Sequence, residues 1–187
     1  MLAFTAPRHA VSVPALTVLG AALLLSACAP MSARYSQEQL PTAVKVPDGH
    51  QVAMQTVGVG KIAYECKAKK DMTGHEWVFV GPDAALNDRS GMQVGTYVGP
   101  PATWANLDGS KVTATQVAVA PAGAGNIPYQ LVKANPATGS GAMQGVSYIQ
   151  RVATSGGVAP SSPCGMESVG AKQWVPYQAD YIFWKSL

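Results

Sequence analysis

Three cysteines are the residues in this chain whose chemistry can be assigned from their surroundings. Cys28 follows Leu25, Ser26 and Ala27, and this tetrapeptide has the form of a lipobox. In such a motif the precursor is cut before the cysteine, whose sulfur then carries a diacylglyceryl group through a thioether. Cys28 is therefore the predicted lipid attachment site, and a membrane is the predicted partner through that anchor.

The residues that precede the cysteine have the pattern of a signal peptide covering residues 1–27. Arg8 and His9 form a weakly basic start, and residues 11–25 are uncharged and mostly apolar. This run is shorter than the ~20 residues that a membrane-spanning helix needs, and small residues follow it as processing requires. A buried N-terminal helix with an incidental cysteine is the alternative, but Pro14 interrupts the run.

The residues after the cleavage site predict where the protein is delivered. Ala29, rather than an aspartate, follows Cys28. In this respect the chain resembles outer-membrane lipoproteins, and we expect an outer-membrane anchor with the protein facing the periplasm. Residues 28–45 lack a sustained periodicity and are expected to form a flexible tether to a single β-rich domain at residues 46–187.

The two remaining cysteines, Cys66 and Cys164, are expected to form a disulfide. An odd cysteine count in an exported protein needs an explanation, and a lipidated Cys28 leaves an even pair in an oxidising compartment. Such a bridge would close a loop that the chain-entropy model values at about 4–5 kcal/mol. Two unpaired buried thiols are the alternative.

Residues that could support catalysis are few. His50 and His75 lie in predicted loops without a neighbouring array of cysteines or carboxylates, and no Gly-x-Ser-x-Gly motif is present. Asp108 precedes Gly109, so a turn is its simplest role. A secreted hydrolase or metal-dependent enzyme using Asp108, His50 or His75 is the alternative function, and neither a metal nor a cofactor is expected.

Aromatic residues are the stronger candidates for binding. Tyr97 and Trp104 flank the sequence Gly-Pro-Pro, and with Asp108 they form the candidate ligand surface, where a rigid ring could stack on a sugar or a protein partner. The alternative is that Trp104 closes one end of the sheet structure. An ion pair between Arg151 and Asp180 is also expected.

Composition favours a β-rich domain outside the cytosol. Charged residues make up only 12% of the chain, while 19 glycines and 14 prolines supply many turns. The formal net charge of +3 is too small to predict binding to nucleic acid.

Alternating patterns predict an all-β fold, either an antiparallel sandwich or a closed barrel of about eight short strands. Gly58 and Gly60 are expected to form a turn, and residues 82–86 a turn of helix. Strands are expected near residues 51–57, 61–67, 76–80, 93–98, 111–120, 129–133, 145–153 and 177–184.

An ordered series of motifs resembles the DUF3455 family, which comprises secreted bacterial and fungal domains of unknown function. The resemblance covers residues 46–184 and is carried by residues 58–66, 77–84, 104–112, 127–128, 148–157, Cys164 and 177–181. It implies a secreted β-rich domain without an established activity. A histidine expected before the aromatic residue near Tyr97 is missing, and Pro101-Ala102 looks inserted, so no role is carried over to that position.

Some fungal relatives carry a malate dehydrogenase label, and Gly58-x-Gly60-x-x-Ala63 has the spacing of a dinucleotide fingerprint. That fingerprint requires a helix after the glycines, whereas residues 61–67 alternate as a strand. We therefore expect no NAD site. The favoured function is an envelope-anchored lipoprotein with a non-catalytic binding or structural domain that engages an envelope glycan or protein.

Overall fold

The computed structural model describes residues 1–3 and 35–187, so the predicted signal peptide and Cys28 lie outside the described residues. The described part is all-β and contains no α-helix, only 3-10 turns at Thr42–Val44 and Met166–Ser168. No helix in residues 1–3 and 35–187 is long and apolar enough to cross a membrane. The strands are β1 (His50–Ala68), β2 (His75–Asn87), β3 (Gln93–Val98), β4 (Thr103–Asn106), β5 (Lys111–Ala120), β6 (Tyr129–Ala134), β7 (Val146–Gly156) and β8 (Lys172–Ser186).

Each strand pairs antiparallel with the next, and β8 pairs back with β1, so that the sheet closes into a barrel. The all-β prediction is thus confirmed, with long strands at β1, β2 and β8. Connections alternate between two ends of such a barrel. The β2–β3, β4–β5 and β6–β7 connections lie at what we call the Asp108 end, and the other four lie at the disulfide end.

The glycine pair in β1 is not a turn, and that prediction is wrong. Gly58 and Gly60 lie within the continuous strand His50–Ala68. A Cβ at Gly58 would lie 2.5 Å from Cε2 of Tyr181, and one at Gly60 would meet the backbone of Asp83 and Ala84. The glycines therefore permit close packing inside a strand. Because a strand follows them rather than a helix, the dinucleotide fingerprint lacks the geometry it requires.

The segment around Pro82 also differs from its prediction. The strand β2 continues through Gly81 and Pro82, so the expected turn of helix at residues 82–86 is wrong. A Cβ on Gly81 would collide with the carbonyl oxygen of Gly99, which explains the glycine at this position. The sequence does not predict the four-residue strand β4, because a Gly-Pro-Pro sequence and an Asp-Gly turn enclose only six residues.

The inside of the barrel is filled with side chains, as is typical of a barrel of this size. Its buried members include Ile62, Leu86, Tyr97, Trp104 and Phe183. A second buried cluster lies on the outer face, where Val44, Val46, Leu131, Ile182 and Trp184 pack together. Residues 35–46, most of which were expected to be a tether, therefore cover the outside of the sheet.

A buried glutamine fixes this N-terminal segment. Gln150 donates through Nε2 to the carbonyl oxygen of Val44 at 2.7 Å and to Gln37 Oε1 at 3.0 Å. Its Oε1 accepts from Trp184 Nε1 at 2.9 Å and from the Tyr35 hydroxyl at 3.2 Å. These four hydrogen bonds satisfy the side-chain amide of Gln150, which is completely buried.

The predicted disulfide is confirmed. Cys66 and Cys164 are bonded, with their Cα atoms 5.6 Å apart and 98 residues apart in sequence. The bridge ties the long β7–β8 connection to the end of β1. Trp77, the cross-strand neighbour of Cys66, adds a hydrogen bond from Nε1 to the carbonyl oxygen of Ser162 at 2.9 Å.

Candidate functional site

Tyr97 and Trp104, expected on a ligand surface, lie inside the barrel. They are cross-strand partners on β3 and β4 and are only 5% and 1% exposed. Their rings stack with centroids 4.4 Å apart and an interplanar angle of 18°, and both contact Tyr181. Trp104 is thus part of the packed interior of the barrel. The two rings offer no exposed face to a ligand in this structure.

Asp108 joins two connections at its end of the barrel. Its Oδ1 accepts from the backbone N–H of Ser110 at 2.9 Å and from the Ser110 hydroxyl at 2.6 Å. Its Oδ2 accepts from the N–H of Ala142 at 2.7 Å. These hydrogen bonds, the Ser110 hydroxyl first among them, lower the pKa of Asp108. Its carboxylate therefore serves the Asp-Gly turn and the β6–β7 connection.

The histidines and Asp108 do not converge on one centre. His50 begins β1 at the Asp108 end, with Nδ1 3.0 Å from the carbonyl oxygen of Pro47, whereas His75 begins β2 at the disulfide end. Within residues 1–3 and 35–187, no group of three or more His, Cys, Asp or Glu side chains is arranged to hold a metal.

The expected ion pair between Arg151 and Asp180 is wrong. Asp180 instead accepts from Arg89 at 2.9 Å, while Arg151 donates to the carbonyl oxygen of Pro128. The register explains this outcome. Asp180 pairs with Val152 and Arg151 with Tyr181, so the two side chains project from opposite faces of the sheet.

A groove with a mainly apolar inner part and a mixed outer part lies at the Asp108 end, between the start of β1 and the β2–β3 and β4–β5 connections. We call it the Asn106 groove. Its inner part has a volume of ≈ 290 Å³ and its outer part ≈ 510 Å³, sizes that suit a small ligand. The inner part is lined by Met54, Gln55, Thr56, Asp88, Gln93, Val94, Asn106 and Leu107, and the outer part extends over Val52, Ala53, Arg89 and Ser90.

A hydroxyl without a partner lies beneath the inner part of the groove. Thr56 is completely buried, and its Oγ1 has no hydrogen-bond partner among the residues that the structure describes. Because Oγ1 has almost no accessible surface, it lies beneath the lining of the groove and is not open to it. Asn106 approaches Met54, with Nδ2 3.9 Å from Sδ, and Leu107 is 70% exposed at the rim. The groove thus combines amides with apolar contact surface.

The charged side chains around the groove already bind other groups of the protein. Arg89 binds Asp180 and also donates to Gln55 Oε1 at 3.0 Å. Asp88 accepts through Oδ1 from the hydroxyl and backbone N–H of Ser90 and from the N–H of Met92. These bonds, the Ser90 hydroxyl first, lower the pKa of Asp88, which stays ionised at neutral pH. The groups left for a ligand are mostly uncharged.

The groove residues escaped prediction because no motif links them. They come from three elements that are distant in sequence and meet only when the barrel closes. One usable signal was present: Asp88-x-Ser90 and Asp108-x-Ser110 share a spacing in which the aspartate receives bonds from a serine two residues later. That spacing indicates two ordered connections of similar construction at one end of the barrel.

These features define the class of the molecule as a disulfide-bonded, all-β domain whose eight strands form one closed barrel with a filled interior. The family model described as "Protein of unknown function (DUF3455)" matches residues 47–185, and the chain belongs to this family. The resemblance found in the sequence is thereby confirmed. The chain has no match among curated proteins or among solved structures.

Proposed function

We propose that this protein is a bacterial envelope lipoprotein whose barrel is a non-catalytic binding domain for an envelope glycan. The Asn106 groove is the observation that carries the proposal. A ligand that supplies hydroxyl and amide groups would find the side-chain amides of Gln93 and Asn106 nearby. Met54 and Leu107 would contact its apolar face. A sugar unit has this combination of groups.

The filled interior also favours binding at the ends of the barrel. Many eight-stranded barrels hold a ligand between their walls, but here aromatic rings of Tyr97, Trp104 and Tyr181 occupy that space. A rigid barrel with ordered connections presents a preformed groove, which lowers the entropic cost of binding.

The envelope location rests on the sequence before residue 28 and on the disulfide. Disulfides persist in oxidising compartments such as the periplasm. A lipid on Cys28 would hold the barrel at the outer membrane on its periplasmic side.

The anchor is tested by changing Cys28 to Ser in the full-length protein and following labelled palmitate and detergent-phase partitioning. We expect the wild type to incorporate the label and to partition with detergent, and the variant to do neither. Cys66→Ser serves as a control for the loss of a cysteine and should keep the label. A Cys28→Ser variant that is still labelled and membrane-bound contradicts the anchor.

Glycan binding is tested with soluble peptidoglycan fragments and outer-membrane polysaccharide, using calorimetry on the purified protein. Leu107→Ala and Gln93→Ala alter exposed groove residues and should each weaken binding by about 1 kcal/mol or more, which is roughly fivefold. Met166→Ala, an 80% exposed residue in the connection at the other end, is the matched control and should bind like the wild type. The proposal of a glycan groove is contradicted if the protein binds neither polymer. It is also contradicted if Met166→Ala loses as much affinity as the groove variants.

A further inference from the structure

A row of cross-strand partners runs from the closed interior of the barrel to an opening at its side. Thr56, Tyr181, Arg151, Gln130 and Val119 are successive partners on β1, β8, β7, β6 and β5. Cross-strand partners share a face, and Thr56 and Tyr181 face inward, so all five belong to the inner face. Exposure is 0% at Thr56 and Tyr181, intermediate at Arg151 and Gln130, and 45% at Val119.

The opening arises because β4 is short. It pairs with β5 only at residues 111–113, and β5 from Ala114 onward pairs with β6 alone among the described strands. Inner-face residues of this half of β5 are consequently exposed. Gln116 is one of them, and its Oε1 accepts from Gln130 Nε2 at 2.7 Å across the opening's edge.

Arg151 places a positive charge in this opening. Its Nε and one Nη2 hydrogen donate to the carbonyl oxygen of Pro128, at 3.2 and 3.0 Å. A guanidinium has five N–H donors, so three remain. No carboxylate among residues 1–3 and 35–187 forms an ion pair with Arg151, whereas Arg89 is paired. A half-buried guanidinium with free donors and no counter-charge suits an oxyanion.

The charge of Arg151 also acts on buried tyrosines of the interior. Burial raises the pKa of Tyr64, Tyr97, Tyr177 and Tyr181, and the nearby charge of Arg151 opposes that rise at all four. The hydroxyls of Tyr177 and Tyr181 lie 3.1 Å apart.

We propose that this opening is an oxyanion-binding site in which the planar guanidinium of Arg151 holds a carboxylate or phosphate group. The guanidinium matches two oxygens of either group with parallel N–H bonds. The site is separate from the Asn106 groove and does not depend on the proposed glycan function. A ligand with an anionic group and a neutral body would also contact the exposed Val119 and Gln116.

The test uses the purified protein in detergent, with the Arg151 side-chain N–H resonances followed by NMR during titration. The probes are inorganic phosphate and acetate, each compared with chloride at equal ionic strength. We expect saturable shifts of the Arg151 resonances with at least one probe, and the stronger probe identifies the group. For the variants, in which the arginine resonances are lost, the titration follows the backbone amide resonances of β6 and β7, which are also recorded for the wild type. By this readout Arg151→Gln should weaken binding by about tenfold or more.

Two further variants make the result specific. Lys133→Gln removes an exposed positive charge from neighbouring β6 and should leave the affinity unchanged. Arg151→Lys keeps the charge without the planar fork and should also weaken binding, which covers the case that Arg151→Gln does not fold. The proposal is overturned if neither anion shifts the resonances, if Lys133→Gln loses as much affinity as the Arg151 variants, or if Arg151→Lys binds like the wild type.

Discussion

Gly58 lies directly against the ring of Tyr181, so closely that a Cβ on the glycine would come 2.5 Å from Cε2 of the tyrosine. The missing side chain on β1 is what lets the ring of β8 occupy the inside of the barrel. Tyr181 in turn contacts Tyr97 and Trp104, so one glycine supports the whole aromatic cluster.

Replacing Gly58 by alanine should therefore destabilise the protein. The added methyl group collides with a fully buried ring that cannot move without disturbing Tyr97 and Trp104, and overpacking of this kind costs about 1–3 kcal/mol. Urea unfolding of Gly58→Ala measures the loss. Val59→Ala, at the neighbouring 45% exposed position, should change the free energy of unfolding by no more than about 0.5 kcal/mol. Equal stability of the two variants would contradict the packing role of Gly58.

The same glycines show where sequence reasoning succeeds and where it stops. The strands β3 and β5 are predicted at their observed bounds, because turn-forming residues such as Gly99, Gly109 and Pro121 mark their ends. Gly58-Val59-Gly60 was assigned to a turn because glycine favours turns, but contact with Tyr181 and Asp83 decides its role. Such a contact joins strands at opposite ends of the chain and leaves no local signal.

The candidate site was hidden for a related reason. Tyr97 and Trp104 look like loop aromatics beside Gly-Pro-Pro, yet the alternation that carries them inward continues through β3 and β4. The Asn106 groove and the Arg151 opening depend on which strands meet and where pairing ends. The cysteines were predictable, because their count and compartment restrict their chemistry before any fold is known.

Gln150 should be essential for holding residues 35–46 on the barrel. Gln150→Ala would leave Trp184 Nε1 and the carbonyl oxygen of Val44 without their partners, and we expect a loss of about 2–4 kcal/mol. Urea unfolding measures this loss, and trypsin should cleave faster after Lys45. Gln178→Ala, an exposed glutamine on β8, is the matched control. Unchanged cleavage in Gln150→Ala would show that other contacts hold the segment.

The disulfide should contribute strongly to stability, since it closes a loop with a sequence separation of 98. The double variant Cys66→Ser/Cys164→Ser should lose about 2–5 kcal/mol of unfolding free energy. Wild-type protein unfolded in the presence of a reductant should lose a similar free energy of unfolding. This comparison checks that the loss in the double variant comes from the missing disulfide and not from the serine side chains. A free energy of unfolding that is the same with and without reductant would contradict this prediction.

Asp108 should make the stability depend on pH in the acid range. Its pKa in the folded protein lies below the ordinary 3.8, chiefly through the Ser110 hydroxyl, so its contribution is complete above about pH 4 and is lost as pH falls through the lowered pKa. Asp108→Asn should therefore lower the Tm at pH 7, and the difference from wild type should shrink at acid pH. Asp48→Asn, in the turn before β1, is the control for loss of an exposed carboxylate. A difference that grows on acidification would contradict this assignment.

The buried tyrosines should limit stability at alkaline pH. Burial raises the pKa of Tyr177 and that of Tyr35 to about 12, against the ordinary 10.0. A raised pKa favours the folded state fully below about pH 10, and this contribution is lost between pH 10 and 12 because the unfolded chain ionises first. For the buried Tyr177 the slope should be about 1.4 kcal/mol per pH unit, and Tyr177→Phe should remove it. Tyr35 is only half-buried and should contribute less, because solvent screens its charge. Phenolate absorbance and circular dichroism, followed together as the pH rises, check this prediction. Phenolate from these residues should appear only as the protein unfolds. Phenolate that forms while the circular dichroism of the sheet is intact would contradict the burial of their hydroxyls.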